Sequence, residues 1–399
     1  VRLIHRFIST HCREGFAMLT RLLHRGFFLV LCAVGTLGAT ETRADYVVGS
    51  VVAQQGAAAI SGAEFLRGAA AMIDSVNAKG GVGGQKIKLV TGDDGIATGS
   101  DPSKTVSEFN RVLKESSPIA FVNASGTPNM EALLKDGTVT RAGVPVVGPF
   151  SLSNALRTRG EEHMFFVRTG SKEESYRMVQ QAHSMGMTRL ALVYVDNNFG
   201  KELNALAREH LAAHPEITVH THVLPSTNPD VDTVVKEILA KQTQMIFLLI
   251  PGRMVPTVVK AYCNQGGAGF MVTSSAASAD QIAATLGPDL ARGIGVMQVV
   301  PSVTRKDIPV VRDFHAAMNA SHKTWQPTAY ALEGYINARI VVEGLKRMNG
   351  TRPADLSKAL RTLKGLDLGG LVVDLSAPKR SGLRFVDIGV IGHDGKLRM

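Results

Sequence analysis

Short apolar runs recur along this chain, and most of them lead into a segment with helical periodicity. "YVVGSVV" (46–52), "KIKLV" (86–90), "PIAFV" (118–122), "VPVVG" (144–148), "RLALVYV" (189–195), "TQMIFLLI" (243–250) and "GFMVTS" (269–274) each read as a strand. Near-continuous apolar strands alternating with helices bury their surface best as parallel sheets covered on both faces, so the pattern predicts an α/β fold. The 355 residues after position 44 exceed the roughly 250–300 at which a single core stops growing. Two similarly built, doubly wound lobes follow, since the order of elements repeats in the second half. "FFVRT" (165–169) runs straight into a new strand–helix series, and reads as the first crossing between the lobes.

The glycine-rich stretch "VNAKGGVGGQKIKLV" (76–90) invites comparison with a phosphate cradle. A dinucleotide fingerprint places its glycines after a strand and before a helix, where free N–H groups face the pyrophosphate. Here the order is reversed. Phe65, Leu66, Ala69, Met72, Ile73 and Val76 mark a helix before the glycines, and the alternating run 86–90 follows them. Gly80, Gly81, Gly83 and Gly84 therefore end a helix and turn into a strand. The chain also has no nucleotide-binding P-loop, and no cofactor is expected.

Residues 1–44 read as a leader. Arg21 and Arg25 precede an uncharged, mostly apolar run from Gly26 to Thr40, and Thr42-Arg43-Ala44 supplies a small-x-small cleavage pattern. This is the layout of a secretory signal peptide, with Met18 a plausible start, and the run is too short to span a bilayer. Cys32 lies inside the apolar run and lacks the small residue that precedes a lipid-modified cysteine. The whole chain has 44 Lys and Arg against 34 Asp and Glu; the leader takes six Arg and two Glu with it, which leaves a net charge of +6. The remaining basic residues are scattered with no stripe interleaved with aromatics, so nucleic acid is not an expected partner. Only Cys263 remains outside the leader region, so no intrachain disulfide is available and stability must come from packed cores.

Ligands of open parallel sheets gather at the carboxyl ends of strands, where helix N-termini supply donors. The loops expected there are "NASGTPN" (123–129), with Thr127 placed to cap a helix, "GPFSLSN" (148–154) and "DNNFGK" (196–201). They are rich in Gly, Ser, Thr and Asn, two carry an aromatic, and none holds a Ser/His/Asp, Cys/His or paired-carboxylate set. Such loops suit holding a small polar ligand, and the chain is not expected to be an enzyme. The stretch "REHLAAHPEITVHTH" (208–222) sets His210 and His214 one helical turn apart and His220 and His222 on one face of a strand. Four imidazoles could form a tetrahedral set. With no carboxylate or cysteine read as completing the site, a solvated histidine-rich surface without metal is the expectation.

Several segments resemble the periplasmic substrate-binding proteins of ABC importers for branched-chain amino acids and related solutes. They are "FLRGAAAMIDSVNAKGGVGGQKIKLVTGDDG" (65–95), "VPVVGPFSLSNALR" (144–157), "RLALVYVDNNFGKE" (189–202), "YALEGYINARIVVEGLKR" (330–347), "LDLGGLVVDLS" (366–376) and "FVDIGVIGHDGKL" (385–397). The resemblance implies a type I periplasmic binding protein: two doubly wound parallel-sheet lobes joined by a three-segment hinge and closing over a ligand. Lobe one would comprise 45–165 and 300–383, and lobe two 166–299 and 384–399. It further implies a monomer in the periplasm that hands a small solute to a membrane permease, or a ligand-sensing receptor of the same fold.

Carried over position by position, Thr127 matches the hydroxyl residue that holds the ligand carboxylate with nearby N–H groups, here around Ser125 and Gly126. Phe150, Ser151 and Leu152 match a ligand-contacting loop, Phe199 an aromatic that covers the ligand from lobe two, and Ser61 a position often held by Tyr. Tyr330 is counted with these contacts. Ser274 falls near a Glu that pairs with the ligand ammonium in leucine-type members. A buried ammonium without an acidic partner costs several kcal/mol, and Asp196 points to the loop rim. The departures therefore imply a carboxylate with an apolar or aromatic, uncharged body rather than a plain α-amino acid, with Arg253 a candidate second carboxylate contact.

Overall fold

The computed structural model describes residues 45–399, apart from Thr98, Ser125, Asn228, His322, Pro378 and Arg380. The leader with Met18 and Cys32, and the Ser125 contact, lie outside the described residues. Strands β1 (Tyr46–Val52), β2 (Ile87–Asp93), β3 (Ala120–Val122), β4 (Val146–Val147) and β5 (Met164–Phe165) form one parallel sheet in the order β2-β1-β3-β4-β5. Tyr46 pairs with Ile87 at one end of this register, and Val147 pairs with Phe165 toward the edge. The order reverses at β1, between β2 and β3, which opens a crevice at their carboxyl ends.

A second sheet holds β6 (Arg189–Val195), β7 (Thr218–Leu224), β8 (Met245–Leu249), β9 (Phe270–Thr273), β10 (Gly295–Gln298), β11 (Asp387–Ile391) and β12 (Leu397–Arg398). Its order is β12-β11-β10-β9-β8-β6-β7, with the switch between β6 and β8. It is not wholly parallel. β11 runs antiparallel to β10, and β12 pairs with β11 as a hairpin. The "GHDG" turn lets these last strands double back on themselves, and a two-strand return needs no crossover helix.

Period-two alternation explains why the second sheet is covered on both faces. Ala191, Val193 and Val195 face one core, while Leu190 and Leu192 face the other. The first sheet is likewise sandwiched. One face packs on Phe109, Met130 and Leu133. The other packs on residues far along the chain, among them Phe314, Ile336, Val341, Leu360 and Leu383. β5 ends the first sheet, and the next strand, β6, belongs to the second. The segment after β5 is laced to the last return of the chain: Gly382 N–H donates to Phe166 O at 2.7 Å, and Leu383 N–H to Val167 O at 2.8 Å.

The helices that bear on the site are α1 (Ala59–Asn77), α2 (Thr127–Asp136), α3 (Asn154–Arg159), α4 (Ser171–Ser184), α5 (Asn198–Leu211), α6 (Ala279–Leu286) and α7 (Ala329–Arg347). α1 and α7 meet backbone to backbone. A Cβ on Gly68 would strike Ala331 O, and one on Gly334 would strike Phe65 O. This approach sets Phe65 against the first residues of α7. Among the described residues no helix is long and apolar enough to cross a membrane.

The glycine stretch is a helix-to-strand turn. Asn77 closes α1 by donating from Nδ2 to Ile87 O and accepting from Ile87 N–H, both at 2.8 Å. Gly81 then sits at φ 79°, and a Cβ there would collide with Gln85 O. Gly81→Ala is expected to cost about 1–3 kcal/mol for the left-handed backbone alone. Urea unfolding monitored by circular dichroism reads this loss, and an unchanged midpoint would contradict the turn.

Candidate functional site

The carboxyl-end loops of the two sheets share a cavity of about 420 Å³. Ser61, Gly126, Thr127, Phe150, Ser151 and Leu152 line it from one side, and Asn197, Phe199, Gly252, Arg253 and Ala276 from the other. No Asp or Glu belongs to its described lining, and Arg253 is its single charged side chain. α6 also reaches across the cavity, where Gln281 Nε2 donates to Ser61 Oγ at 3.3 Å.

Thr127 does not cap α2. Gly126 is the N-cap, without a side-chain bond, and Thr127 is the first helical residue. Its hydroxyl instead shares a 2.8 Å hydrogen bond with Ser151 Oγ, and both side chains are buried. The loops carrying them are laced together: Gly126 N–H donates to Phe150 O at 3.0 Å and Phe150 N–H to Ala124 O at 2.7 Å. The cavity therefore faces a helix N-terminus beside two paired hydroxyls, and such a terminus attracts negative charge. Behind it Asn129 donates to Asp94 Oδ2 at 2.9 Å. Burial raises the Asp94 carboxyl to about 6, even though Thr105 and Asn129 bond to it. The "DD" of the sequence thus anchors the mouth of the site.

The apolar wall is aromatic. Phe65 stacks on Tyr330 at 5.1 Å and 13°, and Phe150 meets Phe65 at 5.1 Å and Tyr330 edge-on at 5.3 Å. Tyr330 lies behind this wall. It faces a separate cavity of about 550 Å³ on the other side and donates from its hydroxyl to Ser275 O at 3.2 Å. Ser274 is fully buried and also stays off the cleft wall, which Ala276, two residues on, lines instead. Of the residues anticipated from sequence, Ser61, Gly126, Thr127, Phe150, Ser151, Leu152 and Phe199 come together. Tyr330 and Ser274 stand one layer back, because α1 presses Phe65 in front of Tyr330 and β9 ends before Ser274. Asp196 is held at the rim by Lys201, 2.7 Å away.

Sequence reading missed a polar cluster beneath the cleft. Arg168 is 1% exposed, lies 4.4 Å above the Phe150 ring, and is 3.6 Å from Glu333 Oε1. Its guanidinium donates to Ser275 O at 3.2 Å and to Ser275 Oγ. The Glu174 carboxylate accepts from Ser275 N–H at 2.9 Å and from its hydroxyl. Burial pushes both the Glu174 and Glu333 carboxyls up, and Arg168 draws both back down. Arg157 supports the same corner by donating to Ser153 O at 2.7 Å and Ser151 O at 2.8 Å, and burial lowers it to about 10. The available signal was a charged residue at the end of the apolar run "FFVRT".

The four histidines of 208–222 do not converge. His210 Nε2 lies 3.2 Å from Lys172 O, and His222 Nδ1 lies 3.0 Å from Glu237. His214 instead joins His183 and Glu216, so a carboxylate from the same stretch does approach an imidazole pair. His222 lies on β7 and meets the helix Val231–Ala240, whereas His214 lies in the turn before β7 and meets the end of α4.

Two sheets whose loop tips enclose a small cavity, with no Asp, Glu, His or Cys in its described lining, have the architecture of a two-lobed ligand-binding protein of the type I periplasmic class. The periplasmic binding protein family model matches residues 45–384, and the chain belongs to that family. An amino acid binding protein of Pseudomonas aeruginosa is 24% identical over 391 residues, 95% of this chain and 98% of that one. The Leu/Ile/Val-binding protein homolog 7 of Brucella abortus is 21% identical over 347 residues, 83% of this chain and 85% of its own. The crystal structure of an extracellular ligand-binding receptor from Verminephrobacter eiseniae matches with a TM-score of 0.82 at 29% identity, covering 89% of this chain and 100% of that one. The family and these neighbours are binding proteins, not enzymes.

Proposed function

We propose that this chain captures a small carboxylate, or an amino-acid-like solute, between two lobes and delivers it to the permease of an ABC importer. Lobe one takes residues 45–165 with 300–383, and lobe two takes 166–299 with 384–399. The observation that carries the reading is the charge of the cleft, which has a helix N-terminus and paired hydroxyls on one wall, Arg253 on the other, and no acid in its described lining. A ligand anion meets donors from both sides, whereas a ligand ammonium meets no carboxylate in the described lining to offset its burial. Phe65, Phe150 and Leu152 supply an apolar surface for an uncharged body. The name of the Pseudomonas relative supports the amino-acid-like alternative, and the cavity chemistry favours the carboxylate. Ligand held by both lobes stabilises the closed form by its contacts to the second one.

Isothermal titration against leucine, valine, benzoate, phenylacetate and hexanoate tests the ligand class. Tight binding of leucine with silent carboxylates rejects the carboxylate and leaves the amino-acid-like solute. Arg253→Ala and Thr127→Val are each expected to weaken the bound carboxylate about tenfold to a hundredfold, the worth of one hydrogen bond to a charged group. Unchanged affinity in both variants would remove the two-walled anion site.

A further inference from the structure

We infer that lobe two carries a zinc site, remote from the cleft, formed by His183, His214 and Glu216. One ligand atom of each residue lies within 4.8 Å of the others. His183 Nδ1 is 3.1 Å from Glu216 Oε1, and His214 Nδ1 is 3.4 Å from the same oxygen. In a tetrahedral zinc site with bonds of about 2.0–2.1 Å, neighbouring ligand atoms stand about 3.3 Å apart. Both separations bracket that edge. Two histidines and one carboxylate also match the ligand types zinc prefers, with a fourth position open to solvent.

The two imidazoles lie against each other, with ring centroids 4.3 Å apart and planes tilted by 35°. A divalent cation satisfies both nitrogens and the oxygen together.

The backbone holds the three groups in place before any metal arrives. His183 occupies the last turn of α4. His214 and Glu216 lie in the turn from α5 to β7, which is closed by His214 N–H to Leu211 O at 2.9 Å and Ile217 N–H to His214 O at 3.0 Å. Leu211 and Ile217 anchor this turn in the core. His214 is 15% exposed while His183 and Glu216 are about half exposed, so the cluster is open to solvent on one side. A metal there would tie the end of α4 to the α5–β7 turn.

The test is titration of zinc chloride into chelator-stripped protein at pH 7.5, without any cleft ligand, read by calorimetry and by the shift in melting temperature. One site is expected, together with a rise in melting temperature. His183→Ala, His214→Ala and Glu216→Gln should each weaken it at least tenfold, since even second-layer partners of a metal are worth about 10–100-fold. His210→Ala and His220→Ala should stay within about twofold of the parent. Circular dichroism checks that each variant folds, and the half-exposed His183 provides the variant least able to disturb the core. Absence of zinc binding by the parent protein overturns the inference. So does equal weakening by the His210 or His220 variants, which would mark diffuse binding by surface histidines. Neither result bears on the cleft, because no solute is present.

Discussion

Arg168→Met is expected to destabilise the protein by about 3–5 kcal/mol, the usual cost of removing one partner from a buried ion pair. The change leaves Glu333 and, through Ser275, Glu174 in the interior without their cation. It also removes the guanidinium that lies over Phe150, and so loosens the wall of the cleft. Both acids already have carboxyls raised by burial, with Arg168 opposing the rise. Without it they hold their protons to still higher pH. A carboxyl whose folded value lies above its unfolded value loses stability as pH rises through the interval between them. The deficit of the variant should therefore grow from pH 5 to pH 8. Urea denaturation at the two pH values measures it, and adding Glu333→Gln should recover part of the loss. A variant within about 1 kcal/mol of the parent at pH 8 would show that the ion pair does not hold this corner.

Glu64→Gln is expected to stabilise the protein at pH 8 by an amount of the order of 3 kcal/mol. Burial, then the carboxylate of Asp280, raises Glu64 from 4.5 to about 7, against smaller opposing effects from Thr328 and Arg67. Below pH 4.5 both folded and unfolded chains carry the proton. Between 4.5 and about 7 the unfolded chain releases it and the folded chain keeps it, so stability falls as pH rises; above about 7 the full loss is present. Glutamine cannot ionise and removes that slope. Asp280 belongs to α6 and Glu64 to α1, and neither is in the described lining of the cleft; the same repulsion opposes the approach of the two helices. Thermal unfolding of both proteins from pH 4 to pH 8 should give curves that diverge steadily up to about pH 7 and run parallel beyond it. Curves parallel throughout would mean that Glu64 is ionised in the folded chain.

Much of the candidate cleft's lining was legible before any coordinates, because loops at strand ends inherit their position from the sheet. Once β1, β3 and β4 are recognised as parallel neighbours, Gly126, Thr127, Phe150 and Ser151 must share one edge. Phe199 follows from the same rule applied to β6. The reversed order of helix, glycines and strand likewise excluded a nucleotide cradle, since local backbone direction is written in the pattern of apolar residues.

Contacts made by residues distant in the chain were not legible. Tyr330 and Phe65 stack because Gly68 and Gly334 let two helices touch, although the rings lie far apart in sequence. Arg168 and Glu174 come from one stretch of chain, and Ser275 and Glu333 from two others far along it, where nothing local names their partners. Glu216 and His214 are met by His183 from a separate helix for the same reason. Hydrophobic periodicity and turn chemistry act over a few residues, so the elements, the parallel pairing of β1 to β10 within their sheets and the loops that face the cleft are written in local pattern, whereas the antiparallel return of β11 and β12 is not. Which charges are buried together and which aromatic stands in front depend on how already formed elements close against one another, and so emerge only in the folded chain.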